Sequence, residues 1–258
     1  MVFSGESIML SAAMACRDTW MADLPASEIF MTHGDRTFPV FGLNQKYNLS
    51  PHENKNVFKM QMYGLKELYL TYPDKKWYNI VGSDTYINVD YTLNMLAEFD
   101  ESKSHWFTPA APIDWPLEHI FRTIKPSSPM WDEWPAGKKL LNESFQWASG
   151  GPGWWMTNSV VKAYAENIDR FLALDPSISC DRCPDVSTGF LLSLLNYELT
   201  LTGNNFRQGD SNDIAFEVAY TVPGAAKVPE LPLQHYVGPR NMIAAAQHAK
   251  HQVCLSLV

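Results

Sequence analysis

The strongest constraint on the fold is a strand signal that ends in a polar turn and has helical periodicity on either side. Trp77-Tyr78-Asn79-Ile80-Val81 reads as a buried strand running directly into Gly82-Ser83-Asp84. Before it, Asn54 to Tyr72 carries Val57, Met60, Gln61, Gly64, Leu65, Leu68 and Tyr69 at helical spacing, and Pro73-Asp74 stops the helix. After it, Asp90 to Phe99 is helical again. Upstream, Val2 to Ser4 predicts a short strand, residues 8 to 21 an amphipathic helix ending near Trp20 and Met21, and Glu28 to Thr32 a second strand. This alternation predicts an α/β fold with a central, mostly parallel sheet and helices on both faces. Ligands of such sheets bind at the carboxyl ends of strands. Gly82-Ser83-Asp84 therefore stands where a polar site is expected.

The second half is less regular. Residues 105 to 135 hold His105, Trp106, Trp115, Trp131 and Trp134 among several prolines, and predict extended or looped segments with aromatic anchors. Ser144 to Ala148 predicts a strand, and the glycine-rich turn Gly150-Gly151-Pro152-Gly153 follows it. Helices are expected from Asn158 to about Leu172 and from Val186 to Asn196. Beyond them come a loop from Gly203 to Asp213, an extended stretch from Leu231 to Tyr236 and a terminal helix from Pro239. No internal repeat, low-complexity tract or long linker divides the 258 residues, which are ample for one domain with its own core. Hydrophobic residues at 46% against 19% charged exclude a disordered chain.

The net charge of −8, with no gathered basic run, argues against nucleic acid and against membrane contact by this chain. No apolar window approaches the length of a membrane span. Ile8 to Cys16 looks superficially like a signal sequence, but its only early charge is Glu6 and it lacks a basic n-region. If the protein is secretory, its anchor or signal is expected outside these residues. Cys16, Cys180, Cys183 and Cys254 are too few for a disulfide scaffold. The lone C-x-x-C at 180–183 lacks the second pair of a zinc ribbon, which leaves a local disulfide or two thiols as readings. Asn142-Glu143-Ser144 is an N-glycosylation sequon, and Asn48-Leu49-Ser50 a poorer one because Pro51 follows. Aromatics at 13%, including nine tryptophans, fit an aromatic-rich core or a surface that stacks on sugars.

Three polar points stand where reactions are often hosted. Asp84 closes the buried strand, with a cap or turn aspartate as the competing account. Asp185 precedes a helix, where the dipole favours a carboxylate in any case. His235 lies in an extended segment, where a lone histidine is usually a satisfied structural group.

Their combination is more specific. The string from Trp77 to Ile87 resembles the aromatic strand and Asp-Asp-Asp-Thr turn of the fringe and core 1 galactosyltransferase family. Ser149-Gly150-Gly151-Pro152-Gly153-Trp154 is similar to that family's Gly-Gly-Ala-Gly turn, and Pro184-Asp185-Val186-Ser187-Thr188-Gly189 to its acidic Asp-Val-x-Ile-Gly segment. Leu233-Gln234-His235-Tyr236 resembles its late histidine segment. Cys16-Arg17-Asp18-Thr19-Trp20 and Ile29 to Asp35 resemble its first helix and second strand.

The resemblance implies a GT-A-type, Rossmann-like nucleotide-sugar fold. Its donor half would span about 1–104 and its acceptor-binding, catalytic half about 105–258. It implies an inverting, UDP-sugar-dependent β-1,3-glycosyltransferase of the Golgi or ER lumen, acting on a glycan or glycoprotein. By the same resemblance Asp84 and His235 would hold Mn2+, and oxygen and imidazole donors suit that ion. Asp185 would be the general base. Asp35, Ser83, Gly150, Gly151 and Gly153 would bind the donor, since glycine lets backbone approach a ligand closely. Trp154 and Trp155 would border the sugar, with at least one of the pair expected in the core. The chain departs from the family at Gly82 and Ser83, where two acids are usual. That departure keeps a catalytically inactive relative, a chaperone or carbohydrate-binding protein, as the alternative. An unrelated hydrolase is disfavoured by the lack of a G-x-S-x-G elbow, a P-loop or a His pair at ligand spacing.

Overall fold

The computed structural model describes residues 2–3, 14–24, 43–47, 55–82, 85–87, 89–108, 113–117, 124–147, 153–173, 184–200 and 233–234. In chain order these form β1 (Val2–Phe3), α1 (Met14–Asp18) and a 3-10 turn (Trp20–Asp23), then α2 (Leu43–Lys46) and α3 (Lys55–Thr71). Next come β2 (Trp77–Gly82), β3 (Tyr86–Ile87), α4 (Val89–Leu96), β4 (Trp106–Phe107) and β5 (Ile113–Pro116). The order continues with α5 (Met130–Glu133), a second 3-10 helix (Pro135–Leu141), β6 (Ser144–Trp147), β7 (Trp154–Thr157), α6 (Asn158–Ala173), α7 (Pro184–Leu194) and β8 (Leu233–Gln234). The strand expected at Glu28 to Thr32, the Gly203 to Asp213 loop and the terminal helix lie outside the described residues.

The central sheet has the order β1-β2-β7-β4. β1 runs parallel to β2, but β7 runs antiparallel to both β2 and β4. Among the described residues the sheet is therefore mixed rather than mostly parallel. The physical reason is β7, which follows the glycine-rich turn and inserts between β2 and β4 against their direction. Residues directly opposite in register share a face. Tyr78, Ile80, Trp106, Trp154 and Met156 point to one face and belong to the main core with Met62, Leu65, Tyr164, Phe171 and Phe190 from α3, α6 and α7. Each such large side chain contributes about 1.5–3 kcal/mol by leaving water. On the other face, Trp77, Asn79 and Trp155 wall a cavity of about 200 Å3 together with Trp20 and Met21 of the 3-10 turn and Thr92 and Leu96 of α4. α4 and the 3-10 turn thus face this side of the sheet across the cavity.

Polar contacts fix how these layers meet. Asn158, the first residue of α6, donates from Nδ2 to the carbonyls of Pro73 at 2.6 Å and Lys75 at 2.7 Å. The loop ending α3 is so tied to the start of α6, beside β2. Tyr78 donates its hydroxyl to the Tyr72 carbonyl at 2.5 Å, and burial pushes its pKa up to about 12. The buried Glu67 carboxylate of α3 accepts hydrogen bonds from Tyr47 and, at 2.6 Å, from Lys46 Nζ, which anchors α2. Burial and the Glu67 charge raise the Tyr47 pKa.

Candidate active site

The carboxyl end of β2 is held from several sides. Thr85 donates its backbone N–H to the Gly82 carbonyl at 3.2 Å, which closes the chain on either side of Ser83 and Asp84. Thr85 is completely buried, and its own carbonyl accepts the Trp20 indole N–H at 3.1 Å while the Cys16 thiol faces it at 3.9 Å. The Cys16-to-Trp20 segment therefore acts as a clamp on the residue after Asp84. Sequence reasoning missed Trp20 and Thr85 as positioning residues. The available signal was a tryptophan in an apolar helix end, because a buried indole N–H needs an acceptor.

Immediately downstream, β3 pairs with β8 in antiparallel register, Tyr86 with Gln234 and Ile87 with Leu233. Asp84 stands two residues before Tyr86 in the chain, and His235 is the residue after Gln234. Segments separated by about 150 positions of sequence are thus joined at this pair. Asp84, His235, Ser83, Asp35, Gly150 and Gly151 themselves lie outside the described residues. Among the described residues, no group of three or more His, Cys, Asp or Glu could hold a metal ion.

The last glycine of the expected donor turn is described. Gly153 has φ +96°, a conformation that favours glycine, and a Cβ there would lie 2.6 Å from the Ile80 carbonyl oxygen and collide with the Val81 side chain. Gly153 is thus pressed onto the end of β2 just ahead of Gly82. Its two following tryptophans do not form a platform. Trp154 is fully buried in the main core, and Trp155 is 8% exposed on the opposite face of the sheet. Trp154 therefore packs in the core, whereas Trp155 walls the cavity beside Trp77.

Asp185 is the second residue of α7, after Pro184 in the first helical position, where a missing N–H costs nothing. It is half-buried, and its Oδ1 accepts the Val186 N–H at 2.9 Å. The helix lies directly on β6: a Cβ at Gly189 would stand 2.7 Å from Trp147 Cβ and 2.9 Å from the Gln146 carbonyl oxygen. Gly189 is therefore a close-packing position that sets the height of the whole helix, and with it Asp185.

The apolar cavity beside Trp77 is a poor candidate for a diphosphate. Its lining runs from Lys75 and Trp77 at the start of β2 to Trp20 and Ile87, and among the described residues Lys75 is the one charged group in it. No helix among the described residues is long and apolar enough to cross a membrane. A sequence model of a family described as Fringe-like matches residues 15–207, a span that includes the β2 turn, the glycine-rich turn and Asp185 but ends before His235. No curated protein matches the chain.

Proposed function

The chain belongs to the Fringe-like family, a family of glycosyltransferases, and on that premise we propose that it is an inverting, UDP-sugar-dependent β-1,3-glycosyltransferase acting on a glycan or glycoprotein in the Golgi or ER lumen. The observation that carries the reading is the β3–β8 pairing, which ties the segment leading to His235 to the segment following Asp84. We read the chain as one GT-A domain, with a donor half over about 1–104 and an acceptor half over about 105–258. The shared central sheet supports this, since β7 of the second half pairs with β2 of the first and carries β4 on its other side.

In this reading Asp185 takes the proton of an acceptor hydroxyl as that oxygen attacks the anomeric carbon. The bond from that carbon to the UDP oxygen breaks on the opposite side, so configuration inverts and UDP leaves with the electron pair. The half-buried position of Asp185 and its hold on the Val186 N–H support a fixed carboxylate. Gly153, Gly151 and Gly150 would let backbone approach the donor, with Ser83 and Asp35 contributing polar contacts. Asp84 and His235 would hold Mn2+, a fit that rests on the chemistry of a carboxylate and an imidazole. When bound, the ion neutralises charge on the departing diphosphate.

Gly82 and Ser83, in place of the usual acids, favour a second reading, an inactive relative serving as a chaperone or carbohydrate-binding protein. Calorimetry with UDP, with and without Mn2+, separates the two. The enzyme reading expects metal-dependent UDP binding, followed by UDP release in a panel of UDP-sugars. It also expects Asp185→Asn to bind UDP like wild type while transfer is lost. Absence of UDP binding, or binding indifferent to the metal, favours the inactive relative.

A further inference from the structure

The surface between the second 3-10 helix and β6 carries a motif that the proposed reaction does not use. Asn142-Glu143-Ser144 is a sequon, and all three residues are exposed. The turn is held from both sides, because Leu140 before it is 3% exposed and Phe145 after it 1%. Asn142 ends the 3-10 helix with φ −122° and ψ −3°, its backbone N–H donating to the Lys139 carbonyl at 3.0 Å. An asparagine at a helix end often stays there because its side chain bonds to nearby backbone. Here neither the Asn142 amide nor the Ser144 hydroxyl makes a hydrogen bond with any described residue. Folding leaves both groups unspent and open to solvent.

What lies beside the turn also suits a carbohydrate. A groove of about 250 Å3 is lined by Asp114, Lys139, Glu143, Gln146, Asn196 and Glu198 among others, so that sugar hydroxyls would meet donors and acceptors rather than apolar surface. The groove reaches α7 at Ser193. Asp185 heads the same helix about 12 Å away at 1.5 Å per residue. Sugars on Asn142 would therefore stand clear of the Asp185 end.

We propose that Asn142 is an N-linked glycan acceptor, modified when the chain passes through the secretory lumen. Its Nδ2 would form a bond to the anomeric carbon of an oligosaccharide supplied as a lipid-linked diphosphate by the host transferase. The bond from that carbon to the diphosphate oxygen breaks, and Nδ2 gives up one proton. The inference rests on the function proposed above only for the compartment.

The test is to secrete the full chain from a eukaryotic host behind a cleavable signal, recover it from the medium, and map peptides before and after PNGase F in heavy-oxygen water. Expected is a glycan at Asn142 in the wild type and in Ser144→Thr, and its complete loss in Ser144→Ala and Asn142→Gln. Asp100→Asn provides a control, since it creates the same Asn-Glu-Ser tripeptide with the existing Glu101 and Ser102 in another exposed turn. Secreted wild type unmodified at Asn142 overturns the proposal. Modification of the Asp100→Asn chain at residue 100 in that case assigns the failure to the site rather than to the host. Glycosylation of Asn142 in a protein that fails the UDP assay would sink the enzymatic reading and leave this one intact.

Discussion

Replacing Gly153 by alanine tests the contact that joins the glycine-rich turn to β2. Two costs add there. A φ of +96° is unfavourable for any residue with a Cβ, at about 1–3 kcal/mol. The new methyl would also sit 2.6 Å from the Ile80 carbonyl oxygen, a backbone atom that cannot rotate away, and such overpacking costs about 1–3 kcal/mol. Gly153→Ala is therefore expected to lose about 2–6 kcal/mol, a large part of the roughly 5–15 kcal/mol that holds a domain together. Gly189→Ala makes the informative comparison. Its methyl meets Trp147 and Gln146 at 2.7 and 2.9 Å, but the residue lies inside a helix, where alanine gains about 1 kcal/mol over glycine. A net loss of about 0–2 kcal/mol follows. Urea unfolding followed by tryptophan fluorescence would measure both, and a shift of roughly 2–4 °C in Tm per kcal/mol should accompany it. The reasoning is refuted if Gly153→Ala unfolds within about 0.5 kcal/mol of wild type, or if Gly189→Ala proves the costlier change.

Three further outcomes follow from the same geometry. Trp20→Phe keeps an aromatic ring but removes the donor to the Thr85 carbonyl, so a loss of about 0.5–1.5 kcal/mol is expected from the deleted buried hydrogen bond; an unchanged urea midpoint would remove Trp20 from the clamp. Tyr78 has a folded pKa near 12, above the ordinary tyrosine value of about 10. Its folded state keeps the proton longer than the unfolded chain, so stability is retained below about pH 10 and falls through about pH 12. Alkaline unfolding should show that decline, and Tyr78→Phe should flatten it; an identical slope in the variant contradicts the assignment. His235→Ala should weaken only the metal-dependent part of UDP binding, and unchanged titrations with and without Mn2+ would move the metal site elsewhere.

Much of the local structure was readable along the chain. The 3.6-residue spacing of Gln61, Leu65 and Leu68 marks α3 because it turns one face to an apolar partner, Pro73 marks its end, and the short run Trp77-Tyr78-Asn79-Ile80-Val81 bounded by Gly82 marks β2 as a buried strand. β7 escaped because it has no such boundary signal of its own beyond the glycine-rich turn. All of Trp154-Trp155-Met156-Thr157 is buried, and a strand covered on both faces shows no alternation. Its tryptophans look like a surface platform until the sheet closes over them.

What the sequence by itself determined is the principal helices and the β2 strand, the ordered motifs and the family they belong to, since these depend on neighbours a few residues apart. Only the tertiary structure decided which of them meet. Strand direction in the sheet, the seat of Gly153 on β2, the Trp20 hold on Thr85 and the β3–β8 pairing all join residues far apart in the chain. Hydrogen bonds and close packing between such segments leave no periodic trace in the sequence, because the partner that satisfies each group is chosen by the fold and not by its neighbours.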